Sequence, residues 1–569
     1  MAITFLSLVY ILILGWVSLR AFRLTRNYLE ARKLGLPIIV IPISKEDRWW
    51  IIIWGKFAWI QQIPILGYWL PYSHHAWSLH ERHRPHLKHG DAFVIVSPTA
   101  NELVINDPQV GMEIQTQYKS WYKPNTLYDV FDIFGPCMIT ANGEDWQRHR
   151  RIVNPAFREQ NHKLVWEESL RQTRQMLDVI GRRLPSASLT LLDVRNNAAL
   201  IAMHVLSGAG FGHGHDFEGG LQHVPAGHTR SLADTLLYLL NNLLYFVVFM
   251  YWGWLGYLGP GKYKEVMGVA AEFRHYMKEV IAYNRATTQG GGGGGGGGGQ
   301  NADIVSALVE ADEAAKREEK TFGIAGGRPI HLTDEELFGN LFLFNMAGYE
   351  TTANAITYTI PYLAANRAVQ DWVGQEIDGV FNTHETLKYE EAFPLLVRVL
   401  AVMYETLRLW GPATDVARWA SSNDETLRIN GEKKVIPKRM YVSTNFYGIH
   451  SDPRWWGEDS LQWRPQRWIQ VDPKTGKESI APPPKGAAYL AWSAGPRVCP
   501  GRKFSQVEFV AVISTILRKY RLDPMIIEGK MSTKEEARDA LIREIDGSGY
   551  VVTPRFRNPE NAGVVFVGR

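Results

Sequence analysis

The sequence predicts a mainly α-helical protein with a small β region, preceded by one N-terminal transmembrane helix. Three observations carry this. Residues 3–19 form an uncharged apolar run, two short alternating runs near the start end at proline or Asp-Pro, and from Asp145 onward apolar residues recur at helical spacing.

The first run, ITFLSLVYILILGWVSL, is just long enough as a helix to cross the hydrocarbon layer of a bilayer. Arg20, Arg23, Arg26, Arg32 and Lys33 follow it and nothing basic precedes it, the reverse of a cleaved signal peptide. The positive-inside rule places the rest of the chain in the cytosol. That compartment is reducing, so the two cysteines, Cys137 and Cys499, are expected unpaired. The division expected is residues 1–20 as anchor, 21–72 as a membrane-proximal linker and 73–569 as the main body. Within the linker, the Trp-rich segment 49–54 suits a membrane interface. The apolar stretch 236–258 suits an amphipathic pair of segments dipping into the bilayer surface, or else a buried core helix.

Strands are expected at 92–97 and 102–106, with a further short-strand region at 435–443. Helices are expected at 167–183, 198–206, 263–285, 333–366, 368–380, 389–409 and 501–520. Thr333-Asp-Glu-Glu336 reads as a capping box opening the fourth of these. The ten consecutive glycines 290–299 have no side chains to bury and read as a disordered surface loop. No linker to a second domain stands out.

Composition excludes several classes. Over 569 residues, 46% are hydrophobic and 21% charged, which excludes wholesale disorder. Lys+Arg 62 against Asp+Glu 58 leaves +4, too near balance for a nucleic-acid binder. Two cysteines exclude a disulfide scaffold and a Cys-rich metal module. The 20 tryptophans suggest interfaces and apolar pockets with polar rims. Gly208-Ala-Gly210-Phe-Gly212 lacks the dinucleotide-binding spacing, so the chain shows no nicotinamide- or flavin-binding module of its own.

Chemistry concentrates in Trp492-Ser-Ala-Gly495-Pro-Arg497-Val-Cys499-Pro-Gly501. Gly495 and Gly501 permit a tight turn. Cys499 lies where a helix begins, so backbone dipoles favour a thiolate, and Arg497 adds a cation two residues away. Such a loop suits an anionic macrocycle with an iron centre, the sulfur ligating iron and the arginine meeting a propionate. Three further blocks accompany it. Glu405 and Arg408 share a helix face at i and i+3. Ala347-Gly348-Tyr349-Glu350-Thr351-Thr352 puts a glycine and an acid–alcohol pair inside a long apolar helix, where they are poor choices unless functional. Trp146 and Arg150 share a face at i and i+4.

Together these blocks resemble the cytochrome P450 superfamily, the membrane-anchored haem-thiolate monooxygenases of eukaryotic microsomal type. The resemblance implies the cytochrome P450 fold, with haem b (iron protoporphyrin IX) between two long helices and Cys499 as axial iron ligand. Trp492 stands where the family usually has Phe, and Gly501 closes the same loop. Arg497, Trp146, Arg150 and Arg418 are implied partners of the haem propionates. Glu405 and Arg408 would be buried with a third residue, Arg467, although Gln466 stands where an acid is more usual. Ala347 and Gly348 would leave room for dioxygen, and Glu350 and Thr351 would relay protons to it. Phe344, Asn345, Ala347, Gly348, Ala413 and Thr414 would line the substrate pocket.

The implied reaction inserts one oxygen atom of O2 into a lipophilic organic substrate, by hydroxylation or epoxidation, in specialised metabolite biosynthesis. Electrons would come from NADPH through a separate flavoprotein reductase docking on Arg148, His149, Arg151, Arg502 and Lys503. The implied location is the endoplasmic reticulum membrane, with membrane lipid around the anchor. Two alternatives differ in class: a haem-thiolate isomerase or dehydratase that does not use O2, and a non-enzymatic membrane haem carrier. Relatives of the first kind typically lack the acid–alcohol pair, so Glu350-Thr351 argues against it.

Overall fold

Proline, not length, ends most of the strands and several of the helices. A computed structural model describes the chain apart from residues 1, 48, 51–52, 55–58, 60–62, 64–66, 184–187, 192, 213, 221–223, 243–244, 247, 250–252, 258, 290–302, 323–328 and 383–387. The polyglycine tract and much of the 49–66 segment therefore lie outside the described residues.

The N-terminal helix runs Ala2–Arg32, and its portion Ser7–Arg32 is long and apolar enough to cross a membrane, with mean hydropathy 1.5. It does not stop at Arg20: within the expected linker, residues 21–32 continue the helix and Ile38–Val40 forms a strand. Ala31 and Leu34 are buried in an apolar cluster with Val94 and Leu103. The Asn27 amide donates to the Ser97 carbonyl at 2.8 Å, and Arg20 pairs with Asp47. The β-branched Ile-Ile-Val between Pro37 and Pro42 favours extended chain, which accounts for the strand.

The described residues fall into two compact units, each assembled from separated stretches of chain. The first comprises Met1–Leu127, Ala413–Gln462 and Pro483–Cys499. Its core is a six-stranded mixed sheet in the order Ile38–Val40, Ala92–Val96, Asn101–Ile105, Tyr441–Asn445, Asp415–Ala420, Trp121–Tyr122. Ala92–Val96 and Asn101–Ile105 pair antiparallel, with Val94 opposite Leu103. All five residues of Ala92–Val96 are buried, so the strand is apolar on both faces. The region expected as short strand at 435–443 is two strands in two sheets. Glu432–Ile436 pairs with Glu425–Ile429 in a hairpin, and Pro437 separates it from Tyr441–Asn445 in the main sheet.

The second unit comprises Tyr128–Pro412, Trp463–Pro482 and Pro500–Arg569, and is mostly helical. Its centre is Asp334–Ala365, a helix of 32 residues. The Thr333 side chain and Glu336 close a reciprocal capping box at its start. Pro361 lies inside the helix, near its C-terminal end. Gly339 is required here, because a Cβ would stand 2.2 Å from the Gly135 carbonyl oxygen. The expected helix 389–409 is broken: Tyr389–Ala392 and a 3-10 turn Phe393–Leu395 precede the helix Val397–Trp410. Pro394 lacks the N–H needed to continue the first segment. Two helices not read from the sequence, Ile304–Phe322 and Lys534–Asp546, belong to this unit.

The apolar stretch 236–258 is partly core. Leu236, Leu239, Phe246 and Phe249 are buried, whereas Tyr245, Trp254 and Tyr257 are exposed. Leu232–Asn241 is helical, and the remainder of the stretch is only partly described.

Candidate active site

The thiol loop belongs to the first unit. It runs from a strand-free segment anchored by His450, whose Nε2 accepts from the Leu490 N–H at 2.8 Å. Ser493 and Gly495 both adopt positive φ, +62° and +66°. At Gly495 a Cβ would lie 2.7 Å from the Thr116 Cα, so only glycine fits. Gly501 is different. Its φ is −80°, and it serves as N-cap of the helix Arg502–Lys519, so the expectation that it supplies unusual backbone freedom is corrected. The Cys499 N–H donates to the Trp492 carbonyl at 2.9 Å, closing the loop and bringing the aromatic residue and the sulfur together in sequence register. Cys499 is exposed and unpaired to Cys137, which is buried and whose thiol desolvation pushes up.

Two guanidinium groups are buried in the same unit, Arg497 at 9% exposure and Arg418 at 1%. Gln115, a residue the sequence did not single out, ties Arg418 to the loop: its Oε1 accepts from Arg418 Nη2 at 2.7 Å and from Ser493 Oγ at 3.3 Å. An exposed sulfur with buried cations nearby is a donor set that fits an iron macrocycle bearing carboxylates. Of the expected pocket residues in this unit, Ala413 is exposed, while Thr414 is buried and donates to Asp415 at 2.9 Å.

In the second unit, accessible surface on the central helix is confined to one place. From Gly339 to its end at Ala365, every residue is buried except Ala347, Gly348 and Thr351. Ala347 and Thr351 are one turn apart on one face, and the Thr351 hydroxyl donates back to the Ala347 carbonyl at 2.7 Å. Phe344 is buried and packs edge-on to Phe157 at 5.7 Å, and the Asn345 amide donates to the Leu341 carbonyl at 2.8 Å. Both are thus occupied by core contacts, contrary to a simple pocket-lining expectation. Gly348 also has a packing duty: a Cβ there would stand 3.2 Å from Leu206 Cδ2.

Glu350 does not point into the accessible patch. It is 7% exposed, and its Oε1 accepts from Arg195 Nη2 at 2.6 Å and Thr553 Oγ1 at 2.8 Å, with Arg555 Nη2 at 3.5 Å. Burial pushes its carboxyl upward, but Arg195, Thr553 and Arg555 reverse this and hold it below the ordinary value. None of these partners was foreseen; Arg195 lies in the helix Val194–Val205 and the other two in the C-terminal segment.

Glu405, Arg408 and Arg467 converge in a closed cluster. Glu405 is fully buried and accepts from Arg408 Nε at 2.8 Å, Arg467 Nε at 2.9 Å, the Arg464 N–H at 2.9 Å and Trp468 Nε1 at 2.9 Å. Burial raises its carboxyl, and Arg408 and Arg467 more than offset that. Gln466 takes no part in these bonds. Trp146 is 5% exposed on the helix Gly143–Val153, and Arg150 Nη1 approaches Met138 Sδ at 3.9 Å.

Two members of the expected basic docking set, Arg148 and His149, are held inside the fold. His149 is wholly buried, its Nε2 3.3 Å from Glu336, and Arg148 makes two 2.6 Å bonds to the same carboxylate. These two residues fasten the start of the central helix and face no partner. Arg151 pairs with Glu318, Arg502 donates to Tyr404 and Lys503 sits 3.8 Å over the Phe393 ring. The helix Arg502–Lys519 also buries Glu508, at 1% exposure, whose carboxyl is pushed well up by desolvation.

A cytochrome P450 family model matches residues 60–545, most of the chain. The chain belongs to the cytochrome P450 family. It is a P450 monooxygenase, as are several of its relatives, and the family brings a haem-thiolate iron. One relative, from Leptosphaeria maculans, is the phomenoic acid biosynthesis cluster cytochrome P450 monooxygenase, 27% identical over 95% of this chain and 96% of its own. Another, cytochrome P450 monooxygenase ORF6 of Penicillium roqueforti, is 28% identical and covers 87% of each chain. In fold, the crystal structure of a cytochrome P450 (CYP102L1) aligns with TM-score 0.60 and 19% identity, covering 85% of this chain and 93% of that one.

Proposed function

We propose that this chain is a membrane-anchored monooxygenase that inserts one oxygen atom of O2 into a lipophilic organic substrate during specialised metabolite biosynthesis. Its N-terminal helix would hold it at the endoplasmic reticulum membrane, and NADPH electrons would arrive through a separate flavoprotein reductase. The observation that carries the reading is the exposed Cys499, whose backbone N–H donates to the Trp492 carbonyl in a loop that only Gly495 permits. The Leptosphaeria relative is named for the phomenoic acid biosynthesis cluster, which supports a place in specialised metabolite biosynthesis.

In this reading haem b would be held by Cys499 sulfur and by Arg497 and Arg418, and the family resemblance would add Trp146 and Arg150 as further propionate donors. When bound, the haem supplies dioxygen activation and electron transfer. Thr351 holds a hydroxyl at the accessible patch of its helix, where it can donate a proton by breaking its bond to the Ala347 carbonyl. Glu350, ionised against Arg195, would first have to release that partner before carrying a proton. The Glu405–Arg408–Arg467 cluster is structural. Ala347 offers apolar surface to substrate, and burial of Phe344 and Asn345 stiffens the helix behind it.

Full-length protein incubated with a flavoprotein reductase, NADPH, O2 and a panel of lipophilic terpenoids and polyketides tests this. A product heavier by one oxygen, labelled from 18O2, is the expected result. Turnover that persists without O2 selects the isomerase or dehydratase alternative. Haem retention with no product across the panel and no NADPH consumption above that of the reductase alone selects the carrier.

A further inference from the structure

A second cluster of chemistry-bearing side chains lies away from this machinery, where the turn at 225–229 meets the long helix Pro260–Gln289. The helix presents Glu272, His275, Tyr276 and Glu279, of which His275 and Glu279 are at i and i+4 on one face. His228 from the turn comes down onto that face. Its side chain is 1% exposed, and its ring stacks flat on Tyr276 with centroids 3.6 Å apart and planes 10° apart.

The two ring nitrogens of His228 have different neighbours. Nδ1 lies 2.9 Å from Glu272 Oε1, which also accepts from the Thr229 N–H at 2.8 Å. Nε2 lies 2.8 Å from Glu279 Oε2, and the other oxygen of Glu279 lies 3.3 Å from His275 Nε2. A carboxylate that accepts from one imidazole nitrogen fixes the tautomer and leaves the other nitrogen's lone pair for a metal. One ligand atom each from His228, His275 and Glu279 lie within 4.8 Å of one another.

We infer that His228, His275 and Glu279 bind a divalent late first-row cation of the zinc class, with Glu272 as the carboxylate that orients His228. Imidazole and carboxylate donors suit that class. A tetrahedral zinc with bonds near 2.0 Å needs ligand atoms about 3.3 Å apart. The separations present require only small side-chain rotations of His275 and Glu279, both half-exposed at 51% and 53%. Zinc would replace the proton now shared between His228 and Glu279, and a water would complete the four ligands. The consequence is structural: the metal pins the 225–229 turn onto its helix.

A protonated His228 clamped between two carboxylates without metal is the competing arrangement, and His275 separates the two. It is exposed; its ring lies 4.8 Å from that of His228 and its Nε2 3.3 Å from Glu279, but neither carboxylate contact of His228 passes through it, so His275→Ala leaves both of those contacts in place. Haem-loaded full-length protein is titrated with Zn2+ against a chromogenic chelator. Wild type should retain one more zinc than His275→Ala, and Glu272→Gln should hold that zinc about 10–100-fold more weakly. Zinc should also raise the unfolding midpoint of wild type more than that of His275→Ala. Equal zinc retention by wild type and His275→Ala overturns the inference, whatever the chain binds elsewhere.

Discussion

Glu350 Oε1 and Arg195 Nη2 stand 2.6 Å apart, in a carboxylate that is 7% exposed, while the neighbouring Thr351 lies at the only accessible patch of the central helix beyond Phe338. The acid and the alcohol, adjacent in sequence, therefore face different surroundings. Glu350 is tied to a buried ion pair, and Thr351 holds its hydroxyl at the accessible patch.

Thr351→Ala should accordingly separate catalysis from stability. The hydroxyl bonds only to its own helix and is partly exposed, so the unfolding free energy should change by no more than about 0.5 kcal/mol. The ratio of oxygenated product to NADPH consumed should fall several-fold, read by mass spectrometry against absorbance. An unchanged ratio would remove Thr351 from the proton path.

Gly348 tests how closely the central helix meets Val194–Val205 and the residue after it. Alanine in a helix gains about 1 kcal/mol over glycine. The new Cβ would crowd Leu206 Cδ2 at 3.2 Å, costing about 1 kcal/mol or more. Gly348→Ala alone should be near neutral, and in a Leu206→Ala background it should become stabilising by about 1 kcal/mol. Chemical denaturation of the four proteins measures the coupling. Additive effects would mean that the helices separate freely.

Breaking the Glu405 cluster should be severe. Glu405→Gln removes the charge that compensates Arg408 and Arg467, both essentially buried. Loss of one member of a buried ionic cluster costs about 3–5 kcal/mol. Because Arg408 and Arg467 hold the Glu405 carboxyl below its ordinary value, its stabilisation is present above the unfolded pKa of about 4.5 and is lost as pH falls through the lower folded value. Thermal unfolding at neutral pH should show a much lower midpoint for Glu405→Gln, and a difference under 1 °C would contradict the cluster's role.

Glu376 behaves in the opposite sense. Its carboxylate accepts from the Arg398 and Val399 N–H groups at the start of the helix Val397–Trp410, yet burial pushes it up to about 7. An acid raised in the folded state favours folding below its unfolded pKa of about 4.5, and that contribution is lost as pH rises from there through 7. Stability measured between pH 5 and 8 should fall with rising pH, and the slope should flatten in Glu376→Gln. An identical slope in both proteins would show that the group does not titrate there.

Local chemistry was the legible part. Thr333 and Glu336 announce the start of the central helix, and the structure begins that helix one residue later, at Asp334. The alternating runs at 92–97 and 102–106 are strands because each is short, β-branched and stopped by proline or aspartate. What the sequence hides is long-range partnership. Ser188–Leu191 pairs with Val564–Gly568, and Arg195 meets Glu350 across 155 positions. No periodicity encodes such a contact. His149 misleads for the same reason: a basic residue on an amphipathic helix reads as surface until Glu336 and Asn340 are found against its two ring nitrogens.

The thiol loop decides the account. Full-length protein, purified with haem, reduced and exposed to carbon monoxide, should give the red-shifted Soret band of a thiolate-ligated complex, and Cys499→Ser should abolish that band while Cys137→Ser keeps it. A folded protein whose spectrum is the same with and without the Cys499 sulfur would contradict haem ligation by this residue.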